Sequence, residues 1–436
     1  MIKEKIKYGL FLLIFISLII PDIQKKTGLI EEMKLEGVFS LAEKPVFSKD
    51  NWFSGQFQEQ YNQYVEDHIG FRKSFIRLRN QIEFSLFKTA HASNVFVGKN
   101  NVLYQDFYIE AFMGKDLLTK DKVREKVSKF IFVQNELAKR NITLVLLIAP
   151  GKVSFMPEYL PSYIDVKKAG TSNYDLFTDE LEKNNANVVD IRKYFLKIKN
   201  TSKYPLFPRS GTHWSGYGLT LVADTLFKFI ENKSGINLVD FHSEQGTETD
   251  ENLRFTDDDI GKGMNLIWDI PSWKMYYPNV IFEKDDTTKK PNILSIGDSF
   301  NQSFWGFYPY FSELFGSNSQ YWYYNKIVSW PDSLVTKYID VEKLDVKKET
   351  ENRNIILIVT TEHNIVNFGF GYIDKLYSIY TGSYVEQDKK VKSYEDLIRN
   401  DPKWLESVRI KAIEQNKTID EMIHLDAVWM VEQGTK

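Results

Sequence analysis

The chain has 436 residues, 43% apolar, 15% aromatic and 26% charged, which excludes a disordered or fibrous protein and leaves room for one or two folded domains. Its formal charge of −3, with lysines scattered among acids, lacks the basic footprint of a nucleic-acid partner. The absence of cysteine removes disulfides, thiolate metal sites and a cysteine nucleophile together.

Residues 1–27 come first and carry the targeting signal. The uncharged, mostly apolar run 8–20 is shorter than the roughly 20 residues that span a bilayer. Ile2, Ile6 and Ile23 extend it, lysines flank it, and no small-x-small cleavage site follows, so an uncleaved signal anchor is expected rather than a cleaved peptide. Lys3, Lys5 and Lys7 outnumber Lys25 and Lys26, which places the N-terminus in the cytoplasm and the body outside it. Residues 28–50 lack a clear period and read as a tether. The body, 51–380, begins near Trp52.

Phe57, Tyr61 and Tyr64, then Phe75, Leu78, Ile82 and Leu86, recur at helical spacing and predict two packed helices interrupted at Gly70. Asn94-Val-Phe-Val-Gly-Lys-Asn-Asn-Val-Leu-Tyr104 predicts a hairpin packed on a sheet edge. Val123, Val127, Phe130 and Leu137 mark a helix. The continuous apolar run 142–149 then predicts a strand buried on both faces. A short helix over 174–182, a strand at 187–190, a helix through Leu219, Val222, Leu226 and Ile230, a strand at 292–296, a helix at 302–314 and a strand at 354–361 continue the alternation. That order predicts an α/β fold with a mostly parallel sheet flanked by helices. Residues 237–288 break it and read as an insertion, in which Asp257, Asp258 and Asp259 lack calcium-loop spacing and read as a solvated acidic loop. Residues 381–436 read as a helical tail.

Ligands of open parallel sheets bind beyond the carboxyl ends of the strands. Those ends here carry Lys152, Asp190, the Gly297-Asp298-Ser299 turn, and Glu362 with His363. A buried strand that runs into Gly297 and then Ser299 at a helix start offers a hydroxyl beside free N–H groups that favour an oxyanion. Ser299 also reads as a plain helix cap. A serine needs a base. His213, in the glycine-bracketed loop Ser210-Gly-Thr-His-Trp-Ser-Gly-Tyr-Gly218, and His363 are the two candidates. Lys152, His363, Trp214 and Trp305 are candidate substrate contacts. Phe304, Phe307, Tyr308, Tyr310 and the tyrosines near 321–324 read chiefly as core. No metal site is expected.

Gly297-Asp298-Ser299-Phe300, together with Thr212-His213-Trp214 and Gly218, resembles the nucleophile and histidine blocks of the SGNH-hydrolase-like family of alginate O-acetyltransferases. His213 precedes Ser299 by 86 residues, an order similar to this acetyltransferase branch and reversed from ordinary SGNH esterases. Asp67-His-Ile-Gly-Phe-Arg72, Pro150-Gly-Lys152, Pro157-Glu-Tyr-Leu-Pro161 and Val189-Asp-Ile-Arg192 extend the resemblance over about residues 52–364. It implies an SGNH-like domain with Ser299 as nucleophile and His213 as base, acetylating an exported polysaccharide through an acyl-enzyme. It also implies no cofactor beyond an acetyl donor or partner protein, a membrane-bound O-acyltransferase partner, and an inner-membrane location with the body in the periplasm. A carbohydrate acetylesterase would use the same residues. A non-catalytic glycan-binding scaffold of an export complex would not need Ser299. One departure favours the scaffold: the family's aspartate two residues before the histidine is replaced by Gly211, itself a candidate for positive φ. The group that orients His213 is then expected among Asp190, Asp298, Glu362 or a backbone carbonyl, with Gly297 shaping the turn.

Overall fold

Aliphatic runs without polar interruption have no face to offer water, so they settle in the middle of a sheet. The computed structural model describes residues 2–37, 39–331 and 339–433. Residues 1, 38, 332–338 and 434–436, which fall in the expected anchor, tether, body and tail, lie outside the described residues.

The apolar helix α1 (Ile2–Thr27) precedes α2 (Gln56–His68) and α3 (Arg72–Phe87), which meet around Gly70. The hairpin β1 (Val95–Val97) and β2 (Leu103–Gln105) follows. Next come α4 (Lys120–Ala138), β3 (Thr143–Ala149), α5 (Asn173–Lys183), β4 (Val188–Asp190), α6 (Ile191–Ile198) and α7 (Gly216–Ser234). The expected insertion is an antiparallel ribbon, β5 (Asp240–Thr249) and β6 (Met275–Glu283), whose two strands bracket the short helix α8 (Asp259–Gly263). The sheet is completed by β7 (Ile293–Gly297), β8 (Gln320–Tyr323), β9 (Ile327–Trp330), β10 (Ile339–Asp340) and β11 (Ile355–Thr361). Helices α9 (Tyr372–Thr381), α10 (Ser383–Asn400), α11 (Pro402–Glu414) and α12 (Ile419–Gln433) close the chain.

The seven strands lie in the order β10-β9-β8-β7-β11-β3-β4, and the five from β8 to β4 are parallel. Strands β9 and β10 add an antiparallel edge. Side chains alternate across the sheet. Val145, Leu147, Leu357 and Val359 pack under α6 and α7, while Leu144, Leu146, Ile356 and Ile358 pack under α4, α5 and α9. Each such burial is worth about 1.5–3 kcal/mol, against about 0–1 for an exposed ion pair, so the two apolar layers hold the sheet rigid. Register pairs Gly297 with Val359 and Thr361 with Ala149, so the carboxyl ends of β7, β11 and β3 open on one edge.

Two expectations are corrected. The β1–β2 hairpin does not pair with an edge strand of the main sheet: Val97 and Leu103 pack against Phe84 of α3 and Ile260, Met264 and Leu266 of the insertion, while Val102 and Tyr104 join the core that includes Val145 and Leu147 of β3. The single helix expected over 302–314 is a 3-10 turn (Ser299–Gln302) and two short pieces (Ser303–Gly306 and Tyr310–Leu314), broken where Gly306 and Pro309 interrupt the helical pattern. Helices α10 to α12 share a separate apolar core that includes Ile398, Val408, Ile423 and Ala427.

Candidate active site

Ser299 sits on the turn that leaves β7, and its position is set by the residue before it. Asp298 is buried, and its Oδ2 accepts from Thr361 N (2.9 Å), Thr361 Oγ1 (2.8 Å) and Asn364 Nδ2 (2.9 Å), while Oδ1 accepts from Phe300 N (3.1 Å). A buried carboxylate needs such partners, and these tie the serine turn to the end of β11. Gly297 is buried in the same turn, its carbonyl accepting from Tyr324 N at 2.8 Å.

The histidine loop is pinned from three sides. Ser215 caps α7 by accepting from Gly218 N (2.9 Å). Trp214 is fully buried and donates Nε1–H to Ser303 Oγ (2.9 Å). Lys152, also buried, donates to the carbonyls of Arg209 (2.7 Å) and Gly211 (2.9 Å). These contacts leave His213 Nε2 at 2.9 Å from Ser299 Oγ.

Asp259, the first residue of α8, completes the group. Its Oδ1 accepts from Thr212 N (2.9 Å) and Ile260 N (2.8 Å), and its Oδ2 lies 3.2 Å from His213 Nδ1. A carboxylate only accepts, so Nδ1 carries the proton and Nε2 keeps the lone pair that faces the serine hydroxyl.

The other sequence candidates stand elsewhere. Among the described residues, none of Asp190, Asp298 and Glu362 forms a hydrogen bond to His213. Asp190 caps α6 through Lys193 N (2.9 Å) and accepts from Tyr174 Oη (2.6 Å). Glu362 accepts from Gly151 N (2.8 Å) and Ser154 Oγ, and pairs with Arg192 (3.1 Å). Lys152 and Trp214 are too buried to meet a substrate. His363 lies against the rings of Phe107 and Tyr108, 4.5 and 4.8 Å away, where burial pushes its pKa down. Gly211 is not at positive φ. What it provides is space, because a Cβ there would stand 2.3 Å from Thr256 O.

The acidic loop is also corrected. Asp257 is fully buried, accepts from Tyr277 Oη (2.8 Å), and has no partner for Oδ1 among the described residues. Burial pushes its carboxyl from 3.8 up to about 7, and pulls the Lys152 ammonium from 10.5 down to about 7. The folded state therefore keeps the Asp257 proton at pH values where the unfolded chain has lost it. That contribution is full below pH 3.8 and is lost as pH rises through about 7. Asp257→Asn keeps an acceptor for Tyr277 and removes the titration. Its stability relative to the parent should rise between about pH 4 and about pH 8, by about 1 kcal/mol or more. Thermal melts across that range check it, and a difference that does not change with pH would contradict it.

In front of Ser299 and His213 lies a cleft of about 270 Å³, walled by Phe255, Gln302, Trp305 and Phe307. The Phe255 and Phe307 rings stack at 4.5 Å with planes 10° apart. Of the aromatic residues singled out in the sequence, Trp305 and Phe307 face this cleft, while Phe304, Tyr310 and Tyr321 are core. Sequence reasoning missed Phe255 and Asp259, both within the insertion. Among the described residues, no group of three or more His, Cys, Asp or Glu stands together as metal ligands.

A serine, a histidine and a carboxylate in hydrogen-bonded sequence beyond the strand ends of a mostly parallel α/β sheet have the geometry of a serine-nucleophile acyl-transfer site. The chain belongs to the family of SGNH hydrolase-like acetyltransferase domains described for AlgX, whose profile matches residues 95–322, more than half of its length. No curated protein matches it at a significant level. Solved structures similar to it include the O-acetyltransferase domain of Pseudomonas putida AlgJ, 15% identical, covering 65% of this chain and 99% of that one with a TM-score of 0.42. Pseudomonas aeruginosa AlgX is 12% identical over 65% of this chain and 67% of its own, with a TM-score of 0.41. Bacillus cereus PatB1 is 13% identical over 57% and 91%, with a TM-score of 0.33.

Proposed function

We propose that this protein is a membrane-anchored O-acetyltransferase that moves an acetyl group through a Ser299 ester onto a hydroxyl of an exported polysaccharide. The observation that carries this reading is the relay from Asp259 through His213 to Ser299. Ser299 Oγ attacks the donor's acyl carbon while His213 Nε2 takes its proton, and Asp259 stabilises the imidazolium. Ser299 opens a 3-10 turn, so its own N–H has no partner within that turn and serves the developing oxyanion. The leaving group departs with the proton from His213. A sugar hydroxyl then attacks the acyl-enzyme, gives its proton to His213, and Ser299 is regenerated. The aromatic walls keep water from the ester and favour the sugar over hydrolysis.

The scaffold reading rested on the missing carboxylate two residues before His213, and Asp259 supplies one from another part of the chain. Helix α1 contains a 23-residue stretch, Lys5–Thr27, with an 18-residue window of mean hydropathy 2.0, long and apolar enough to cross a membrane. With α1 as anchor and the body in the periplasm, the acetyl group must arrive from a membrane-bound O-acyltransferase or an equivalent donor. The test is mass spectrometry after incubation with an activated acetyl ester. The peptide that contains Ser299 should become heavier by one acetyl group and revert on addition of an acceptor polysaccharide. Acetylation elsewhere, or none, would overturn the assignment.

A further inference from the structure

Helix α3 is amphipathic the wrong way round for a helix on a soluble body. Its inward side is polar apart from Phe84: Arg77 donates to the carbonyls of Leu266 (2.6 Å) and Lys34, Asn80 donates to Met264 O (2.9 Å), and Gln81 accepts from Ile267 N and Trp268 N. Its outward side is apolar. Phe75, Leu78, Ile82 and Leu86, spaced to fall on one face, are each 46–70% exposed. Helix α2 has no buried residue at all; Tyr61 and Val65 lie exposed on one of its faces, and Ile69, just beyond its end, is exposed too. The tether adds to the same surface. Glu32 accepts from Ser74 N and Oγ, both at 2.9 Å, which lays residues 29–33 beside α3 with Leu29, Ile30 and Met33 outward. A surface of this kind on a monomer marks something that covers it.

The end of α1 identifies the occupant. Pro21 and Gln24 are buried, Gln24 exchanges two hydrogen bonds with the backbone of Ile30, and Lys25 Nζ lies 5.8 Å from the Tyr64 ring centre. The α2–α3 corner closes so tightly on this end that a Cβ on Gly70 would stand 2.0 Å from Pro21 O. Where α1 spans a bilayer, Asp22, Lys25 and Lys26 mark its polar boundary, and the corner is held at that level. Arg72 is paired with Asp67 at 2.6 Å, which leaves Lys73 as the corner's cation for anionic headgroups, and the exposed rings of Trp52 and Tyr61 suit the interfacial zone.

We infer that the outward faces of α2 and α3, with tether residues 29–33, are a lipid-binding surface that rests in the headgroup region beside the anchor. The inference rests on the reading of α1 as a membrane helix, and its test separates the two. Because the chain has no cysteine, single substitutions take one label each. Full-length Leu78→Cys, Ile82→Cys and Leu86→Cys carry an environment-sensitive fluorophore in vesicles of phosphatidylethanolamine and phosphatidylglycerol, with doxyl-phospholipid as quencher. Ile14→Cys in α1 reports insertion, Ile413→Cys on the C-terminal helices reports bulk water, and melting curves report folding. The expected result is quenching at positions 78, 82 and 86 several-fold stronger than at 413. Quenching at 14 alone overturns the surface and leaves the anchor, and no quenching at 14 or on α3 overturns both. Labels on α3 that are shielded from a water-soluble quencher yet untouched by doxyl lipid would mean a protein partner or a second copy, and would likewise overturn it.

Discussion

Ser299→Ala should lower cleavage of a chromogenic acetyl ester by about 10³-fold or more, with an unchanged melting curve. The hydroxyl is half-buried and carries no packing burden, whereas the turn around it is held by the four bonds to Asp298. Removing one oxygen therefore removes chemistry and leaves the fold. His213→Ala should cost about as much, and the double substitution scarcely more, because groups that act as one unit are not additive. His363→Ala should change the rate only modestly, since that ring packs on Phe107 and Tyr108 and makes no hydrogen bond to Ser299 among the described residues. Rates of Ser299→Ala equal to the parent would remove the nucleophile and return the scaffold reading. A larger loss from His363→Ala than from His213→Ala would move the base.

What was legible in the sequence was local. Strands β3, β7 and β11 announce themselves because burial on both faces demands unbroken apolar runs, and a Gly-Asp-Ser turn leaving such a strand is visible in eight consecutive residues. The His213 loop is equally compact. Strands β8 to β10 were not legible, since Gln320, Tyr321, Trp322 and Tyr323 are few and mixed in character, and only pairing beside β7 makes them a strand. Lys152 misled for a related reason. A lysine after a strand is usually solvated, and nothing nearby in sequence signals the Arg209 and Gly211 carbonyls, 57 and 59 residues away, that let it be buried. Asp259 lies 46 residues from His213, and it arrives only because the β5–β6 ribbon folds the acidic loop back over the histidine. Charge runs carry no mark of such a return.

Asp259→Asn should lower kcat by about 10²–10³-fold with little change in KM, because an amide can present its NH₂ to Nδ1 and favour the tautomer that leaves Nε2 protonated. The loss should fall short of the roughly 10⁴ known for a buried protease aspartate, since Asp259 is 31% exposed and its contact with His213 is 3.2 Å long. Moving the carboxylate back to its usual place in the family should not compensate. At Gly211 even the Cβ would meet Thr256 O at 2.3 Å and Asp257 C at 2.9 Å, both backbone atoms of the loop that carries Asp259. Gly211→Ala and Gly211→Asp should therefore lose stability alike. Gly211→Asp should also fail to restore the rate of Asp259→Asn, because the side chain that enters displaces the very segment it would replace. Steady-state rates and melting curves for the three single variants and the double variant separate the cases. Should Gly211→Asp accelerate ester cleavage while Gly211→Ala does not, Asp259 is not the group that orients His213. The ribbon has then brought a carboxylate close without giving it the role.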